Sequence, residues 1–166
     1  MPVSPEFLTL YSFTLASCER LVADVSDDEL AHQPTPGVNT PGWILAHLAI
    51  STDYALQLLG RPKQMPTAWH EAFGPGTKPP TSRDAYPAKA ELLAALRRGH
   101  EAVVAALPRT SEEQLRAPNP LTALPFLVET LPTAGDLLAH LISTHEAAHL
   151  GHLSNWRRQT GRPPLF

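Results

Sequence analysis

Apolar residues recur along this chain at intervals of three and four, the spacing that places them on one face of an α-helix. Near the N-terminus this stripe consists of Leu8, Tyr11, Leu15, Cys18, Val22 and Val25. Polar residues fill the positions between them, so the segment is predicted to be an amphipathic helix. No part of the sequence alternates apolar and polar residues as a half-buried strand does. An all-α fold is therefore predicted.

Three further helices are predicted by the same spacing and by capping signals at their ends. Their predicted bounds are Thr40 to Gly60, Arg83 or Pro87 to Leu107, and Thr133 to Gly161. Thr40 and Thr133 can each cap a helix start, and Asp136 completes a capping box with Thr133. Four long helices in 166 residues favour a single domain over residues 1–166, built as a four-helix bundle.

Residues 61–82 form a long connection between the second and third helices. This segment contains five of the 18 prolines and two of the nine glycines. It is therefore predicted to be an irregular loop, with His70 a loop residue, as is His32 in the preceding connection. Loops of this length in compact domains often act as lids or binding loops.

Composition excludes several classes of function. With 43% hydrophobic and 17% charged residues and a formal charge of −3, the chain is too apolar to be disordered and too nearly neutral to bind nucleic acid through phosphate contacts. No stretch approaches the ~20 apolar residues of a membrane span. The single cysteine, Cys18, excludes an intrachain disulfide and zinc sites that need two cysteines. Residues 1–6 lack the basic residues of a signal peptide. We expect a cytoplasmic protein.

Histidines are concentrated in the fourth predicted helix. The inward stripe of that helix is predicted to contain Leu138, Ile142, His145, His149, His152 and Trp156. Three imidazoles at interior positions need partners, because an unpaired buried polar group costs about 1–3 kcal/mol. A metal ion is one partner that satisfies several histidines at once. The fourth helix is therefore a candidate metal-binding element.

The spacing of these histidines leaves two candidate ligand pairs. His145 and His149 lie one turn apart on the same face, and so do His149 and His152. A third ligand should come from a facing helix, and His47 occupies an inward position on the second helix. His100, which is inward on the third helix, is interpreted as a satisfied core histidine.

Residues His145 to His149 also form the H-E-x-x-H pattern of zinc metallopeptidases. A thermolysin-like site needs a downstream acidic ligand, yet no Asp or Glu follows Glu146. A metzincin needs Gly and His where this chain has His152 and Asn155. The peptidase interpretation is therefore disfavoured. Glu146 should point about 100° away from His145, so it is interpreted either as a flanking residue or as one that supports a metal ligand without binding the ion.

Several motifs together resemble the DinB/YfiT-like superfamily of metal-dependent four-helix-bundle proteins. They are Gly42-Trp43-Ile44-Leu45-Ala46-His47-Leu48, Phe73-Gly74-Pro75-Gly76, His145 to Leu153, and Trp156 to Pro164. The resemblance implies an up-down-down-up bundle that is often a homodimer. It also implies a divalent metal, zinc or nickel in many members, held by His47, His145 and His149. His152 stands where relatives often have Gln.

The resemblance implies a small-molecule enzyme, because members include bacillithiol transferases and mycothiol-dependent maleylpyruvate isomerases. In a thiol S-transferase, the metal would bind the sulfur of a low-molecular-weight thiol. Ser51, Tyr54 and His152 would supply polar contacts to the reacting groups, and Trp69 and Phe73 would roof the pocket. Two alternatives stay open: a metal-dependent hydrolase, and a non-catalytic metal-binding bundle of a stress response.

Overall fold

A computed structural model describes residues 4–122 and 124–165 of the chain. Its helices are α1 (Pro5–Leu21), α2 (Pro41–Leu58), α3 (Thr67–Phe73), α4 (Lys89–Ala106), α5 (Glu112–Arg116), α6 (Pro125–Thr130), α7 (Ala134–His140) and α8 (Glu146–Gln159). Short 3₁₀ turns cover Asp27–Glu29, Arg83–Ala85 and Leu107–Arg109. Within these residues there is no strand, and the β-type pairing is limited to an isolated bridge between Pro118 and Thr133. The all-α prediction is confirmed.

The predicted capping signals are present at two of the long helices. The Thr40 side chain accepts the Trp43 N–H at 3.3 Å and starts α2, with Pro41 in its first turn. At α7, the Thr133 hydroxyl oxygen accepts the Asp136 N–H while the Asp136 carboxylate accepts the Thr133 N–H. These contacts satisfy backbone donors that a helix start leaves free.

The bundle consists of α1, α2, α4 and a long C-terminal helix that combines α7 and α8. Helix α2 lies at its centre, packs along α4 and also contacts α8, whereas α1 packs against α8 and α4. Fifteen of the 18 residues of α2 are buried. The predicted four-helix bundle is therefore the architecture of this chain. No helix in the described ranges is both long enough and apolar enough to cross a bilayer.

The connection between α2 and α4 is more ordered than the sequence predicted. The fully buried carboxylate of Asp53 accepts the backbone N–H groups of Gln64 and Met65 at 2.7 and 2.9 Å. His70 Nε2 lies 2.8 Å from the same carboxylate. The prediction that His70 is a loop residue was wrong, because α3 contains it and Asp53 binds it. This anchor fixes the connection against α2.

A π-helical turn, Leu141–His145, joins α7 to α8. A π turn contains one residue more than an α turn, so it shifts the inward stripe of the following helix by one position. The buried positions before the turn include Leu137 and Leu138, and those after it are Glu146, His149, Leu153, Trp156 and Arg157. The predicted interior position of His152 was therefore wrong. His152 is exposed.

Candidate metal centre

Three histidines from two helices converge beside the core. One nitrogen from each of His47, His145 and His149 lies within 4.8 Å of the corresponding atoms of the other two. The Nε2 atoms of His47 and His145 are 3.2 Å apart. His47 and His149 are buried, with 4% and 9% of their surface exposed, and His145 is half-buried. The structure thus brings together the three residues predicted as metal ligands.

Two contacts orient the ring of His47. Its Nδ1 donates a hydrogen bond of 2.7 Å to the backbone carbonyl of Phe73. Because a carbonyl only accepts, the proton of the neutral ring lies on Nδ1 and the lone pair lies on Nε2. The indole of Trp43 stacks on the ring at 4.5 Å and donates its own N–H to Thr77. The Nε2 lone pair therefore points toward His145 in a fixed direction.

The geometry fits a metal ion. Two nitrogens bound to one tetrahedral zinc ion, each at about 2.0–2.1 Å, lie about 3.3 Å apart, close to the 3.2 Å between His47 Nε2 and His145 Nε2. The buried Nδ1 atoms of His145 and His149 have no hydrogen-bond partner. These rings therefore have unused polar atoms, and neutral imidazoles are ligands that zinc and nickel prefer.

Burial keeps all three rings neutral. Burial lowers the pKa of His47 below its usual 6.5. Burial, and then repulsion from His47 and His140, lowers the pKa of His145 to about 3. Burial, and then repulsion from the neighbouring histidines, lowers the pKa of His149 to about 2. Only the neutral ring has a free lone pair, so these pKa shifts favour the metal-binding form at neutral pH.

Two predicted contact residues follow His47 along α2. Ser51 is buried, and its hydroxyl donates a hydrogen bond of 2.7 Å to the carbonyl of His47. Tyr54 is half-buried, with its ring edge against His70 at 5.5 Å and the Lys63 ammonium 5.8 Å from its centre. Burial, and then the charge of Asp53, raises the pKa of Tyr54. Tyr54 therefore contacts residues of the connection between α2 and α4.

The remaining predicted residues occupy three different environments. His152 lies on the solvent side of the triad, with its ring 5.4 Å from that of His149 and its Nδ1 3.5 Å from the side-chain nitrogen of Asn39. Trp69 is partly buried on α3 and packs against the core. The prediction that the Phe73 ring roofs the pocket was wrong: that ring is 2% exposed and stacks on Tyr86. Phe73 contributes its carbonyl to the site.

The sequence did not predict that two acids, Asp53 and Glu146, are buried. Asp53 holds the α2–α3 connection, and its signal was present because it is the only charged residue of α2. Glu146, interpreted as a flanking or supporting residue, is 4% exposed and lies 2.8 Å from His100 Nε2. The prediction that His100 is a satisfied core histidine is confirmed by this contact. Only the register shift of the π turn places Glu146 inside, and spacing alone does not reveal such a turn.

Comparison with known proteins agrees with this architecture. The family model of the DinB superfamily matches residues 10–153. The chain belongs to the DinB superfamily. Two solved structures have the fold of this DinB chain. One is a conserved protein from Enterococcus faecalis, with a TM-score of 0.71 and 19% identity over 98% of this chain and 99% of that one.

The second similar structure is YfiT from Bacillus subtilis, with a TM-score of 0.66 and 19% identity over 97% of the DinB chain and 91% of YfiT. YfiT is described as "a probable metal-dependent hydrolase with an unusual four-helix bundle topology". At this identity the likeness concerns the fold. The comparison with curated proteins found no match.

Proposed function

We propose that this DinB protein binds one divalent metal ion, zinc or nickel, and uses it as a small-molecule enzyme of the thiol S-transferase type. The observation that supports this proposal is the triad, in which three neutral imidazoles from α2 and the long C-terminal helix have nitrogens within 4.8 Å of one another. His47, His145 and His149 would hold the ion. Three protein ligands leave a coordination position for substrate, as in catalytic rather than structural sites.

When bound, the ion would supply Lewis acidity, which favours the ionised form of a thiol or of water. The chain's own residues would do the remaining work. The Phe73 carbonyl and the Trp43 ring hold His47 in one orientation, so the site is organised before substrate binds. Such preorganisation avoids a reorganisation cost during reaction.

His152 is the candidate proton carrier at the solvent side of the triad. Its ring is exposed and adjacent to His149, so it can exchange protons with both solvent and a substrate. We propose further that Tyr54 and Trp69 contact the substrate or the thiol, and that Ser51 acts indirectly, through its bond to the His47 carbonyl. The partner is a small molecule.

Metal content is the first test. Untagged wild-type protein should carry about one zinc or nickel ion per chain in elemental analysis, and His47→Ala and His149→Ala should lose it. His152→Ala is the matched control: this exposed neighbour of His149 lies outside the triad, so its removal should leave the metal content unchanged. A wild-type protein that cannot be loaded with any divalent ion would contradict the proposal.

Thiol dependence separates the transferase from a hydrolase, the alternative that the description of YfiT favours. We expect metal-loaded protein to consume an electrophile such as chlorodinitrobenzene only when bacillithiol, mycothiol or another small thiol is added. Ester cleavage without any thiol would instead favour the hydrolase. If metal removal unfolds the chain and no turnover is found, the non-catalytic bundle is favoured.

Two further expectations concern the protein in the cell. The homodimer implied by the resemblance remains a prediction, which light scattering after gel filtration tests through the molar mass. A cytoplasmic location also remains a prediction, and cell fractionation tests it.

A further inference from the structure

Glu146 occupies a buried polar cluster immediately beside the metal centre. It follows His145 in the chain, but its carboxylate faces α1 and α4 while His145 faces α2. One carboxylate oxygen lies 2.8 Å from His100 Nε2 of α4, and the other accepts a hydrogen bond from the Thr14 hydroxyl of α1. The ring of Tyr11 stacks on His100 at 3.9 Å. Three helices therefore meet at this carboxylate.

A carboxylate at this depth needs such partners. Glu146 is 4% exposed, and His100 is also 4% exposed. An isolated buried charge would be strongly unfavourable, so the two contacts bind Glu146 to one position. Any rotation of α8 about its axis would separate the carboxylate from both partners at once.

Glu146 stands where the π turn ends, so its contacts with His100 and Thr14 fix the start of α8. It is the first residue of α8 and directly follows the π turn Leu141–His145. Before the turn, Leu138 fixes the register by packing in the core, and after it Glu146 fixes a register shifted by one residue. A regular α-helix through this segment would place Glu146 about 100° from its present direction and would turn His145 with it. The contacts of Glu146 with His100 and Thr14 therefore stabilise the π turn, and the π turn in turn places Glu146 within reach of both partners.

We propose that Glu146, held by His100 and Thr14, is a positioning residue for the metal ligand His145. It acts by fixing the register at which the π turn ends, so that His145 faces His47. This inference rests on the proposed function, because it takes His145 to be a ligand. It assigns the acidic residue of the H-E-x-x-H pattern a role at a buried cluster next to the metal centre, about 100° around the helix from His145.

Cobalt(II) titration of the full chain is the test, because visible absorption reports both affinity and coordination geometry. Glu146→Ala removes the contacts that the carboxylate makes with Thr14 and His100, and we expect it to weaken cobalt binding by about 10- to 100-fold and to alter the spectrum. Glu146→Gln keeps an acceptor for Thr14 and a polar contact for His100. It should restore both affinity and spectrum close to the wild-type values.

Arg157→Met is the matched structural control. Arg157 is buried near the other end of α8 and pairs with Asp24 of the segment after α1. Its loss should lower the free energy of unfolding without changing the cobalt affinity or spectrum. If Glu146→Ala does not fold, Thr14→Val removes one of the two contacts with little change of shape. It should weaken binding in the same direction.

Amide hydrogen exchange in the metal-free protein supplies a second measurement. We expect Glu146→Ala or Thr14→Val to speed exchange in residues 141–149, and Arg157→Met to leave that segment unchanged. A folded Glu146→Ala protein with wild-type cobalt affinity, spectrum and exchange would overturn the positioning role while the metal site stands. A wild-type protein that binds no cobalt or other divalent ion would instead overturn the proposed function, and this inference with it.

Discussion

At the scale of single residues, the candidate site depends on which atom each histidine presents. Residue type and helical spacing predicted His47 together with one of two histidine pairs on the last helix, and the family resemblance implied that the ligands are His47, His145 and His149. The sequence could not predict that the Phe73 carbonyl accepts a hydrogen bond from His47 Nδ1, since that contact joins α2 to a residue 26 positions away. Nor could it predict that the Phe73 ring packs in the core. Such contacts follow from tertiary structure.

The titration of the triad should make the metal-free protein sensitive to acid. The pKa values of His145 and His149 fall from 6.5 to about 3 and about 2 in the folded chain. Between pH 6.5 and about 3, the unfolded chain therefore binds protons that the folded chain does not. The free energy of unfolding should decrease as the pH falls through this range.

Urea unfolding of the metal-free chain at a series of pH values measures this effect. His149→Gln should show a shallower loss of stability with falling pH than the wild type, because one of the shifted groups is gone. Equal slopes for the two proteins would show that His149 does not contribute.

At the scale of elements, capping residues predicted where helices begin. Regular spacing predicted which residues of a helix face the core, except in the C-terminal helix, where the π turn interrupts that spacing. Thr40 and Thr133 cap helices as predicted. The π turn at Leu141–His145 broke the assumption of constant spacing, so Glu146 rather than His152 became an interior residue. An extra residue in one turn of a helix does not change which residue types the segment contains, so the sequence does not reveal the π turn.

The packing of α2 against α4 should be sensitive to a single methyl group. A Cβ at Gly99 would overlap the side chain of Thr52, which is itself fixed by a hydrogen bond to the Ala49 carbonyl. We expect Gly99→Ala to reduce the free energy of unfolding by about 1–3 kcal/mol, the usual cost of overpacking.

Gly151→Ala is the control for that substitution. Gly151 lies within α8, and a Cβ there would meet no atom within 4 Å. The change should stabilise the protein by about 0.5–1 kcal/mol, because glycine disfavours helix interiors. Chemical denaturation measures both variants, and equal effects of the two would contradict the close approach of α2 and α4.

At the scale of the whole molecule, the metal centre connects parts of the chain that are distant in sequence. His47 belongs to the second long helix, and the other two histidines of the triad belong to the last one. The sequence predicted this arrangement because each helix carried inward histidines that needed a common partner. A bound ion would act as a cross-link that exists in the folded state alone.

Metal binding should therefore raise the thermal stability of the entire bundle. At free metal about 100 times the Kd, the gain is about 2.7 kcal/mol, which corresponds to a rise in Tm of about 5–10 °C for a chain of this size. Differential scanning fluorimetry with added zinc or with a chelator measures it. His47→Ala should show no rise, and an equal rise in that variant would place the bound ion elsewhere.

The donor set of the triad also determines which small molecules the centre attracts. All three donors are neutral imidazoles, and the nearby carboxylate of Glu146 is engaged with His100 and Thr14. A divalent ion held there would keep both of its positive charges, because none of its three ligands is an anion. Charge balance then favours anions, so thiolates and carboxylates should bind more tightly than neutral molecules of the same size, and halides should act as competitive inhibitors.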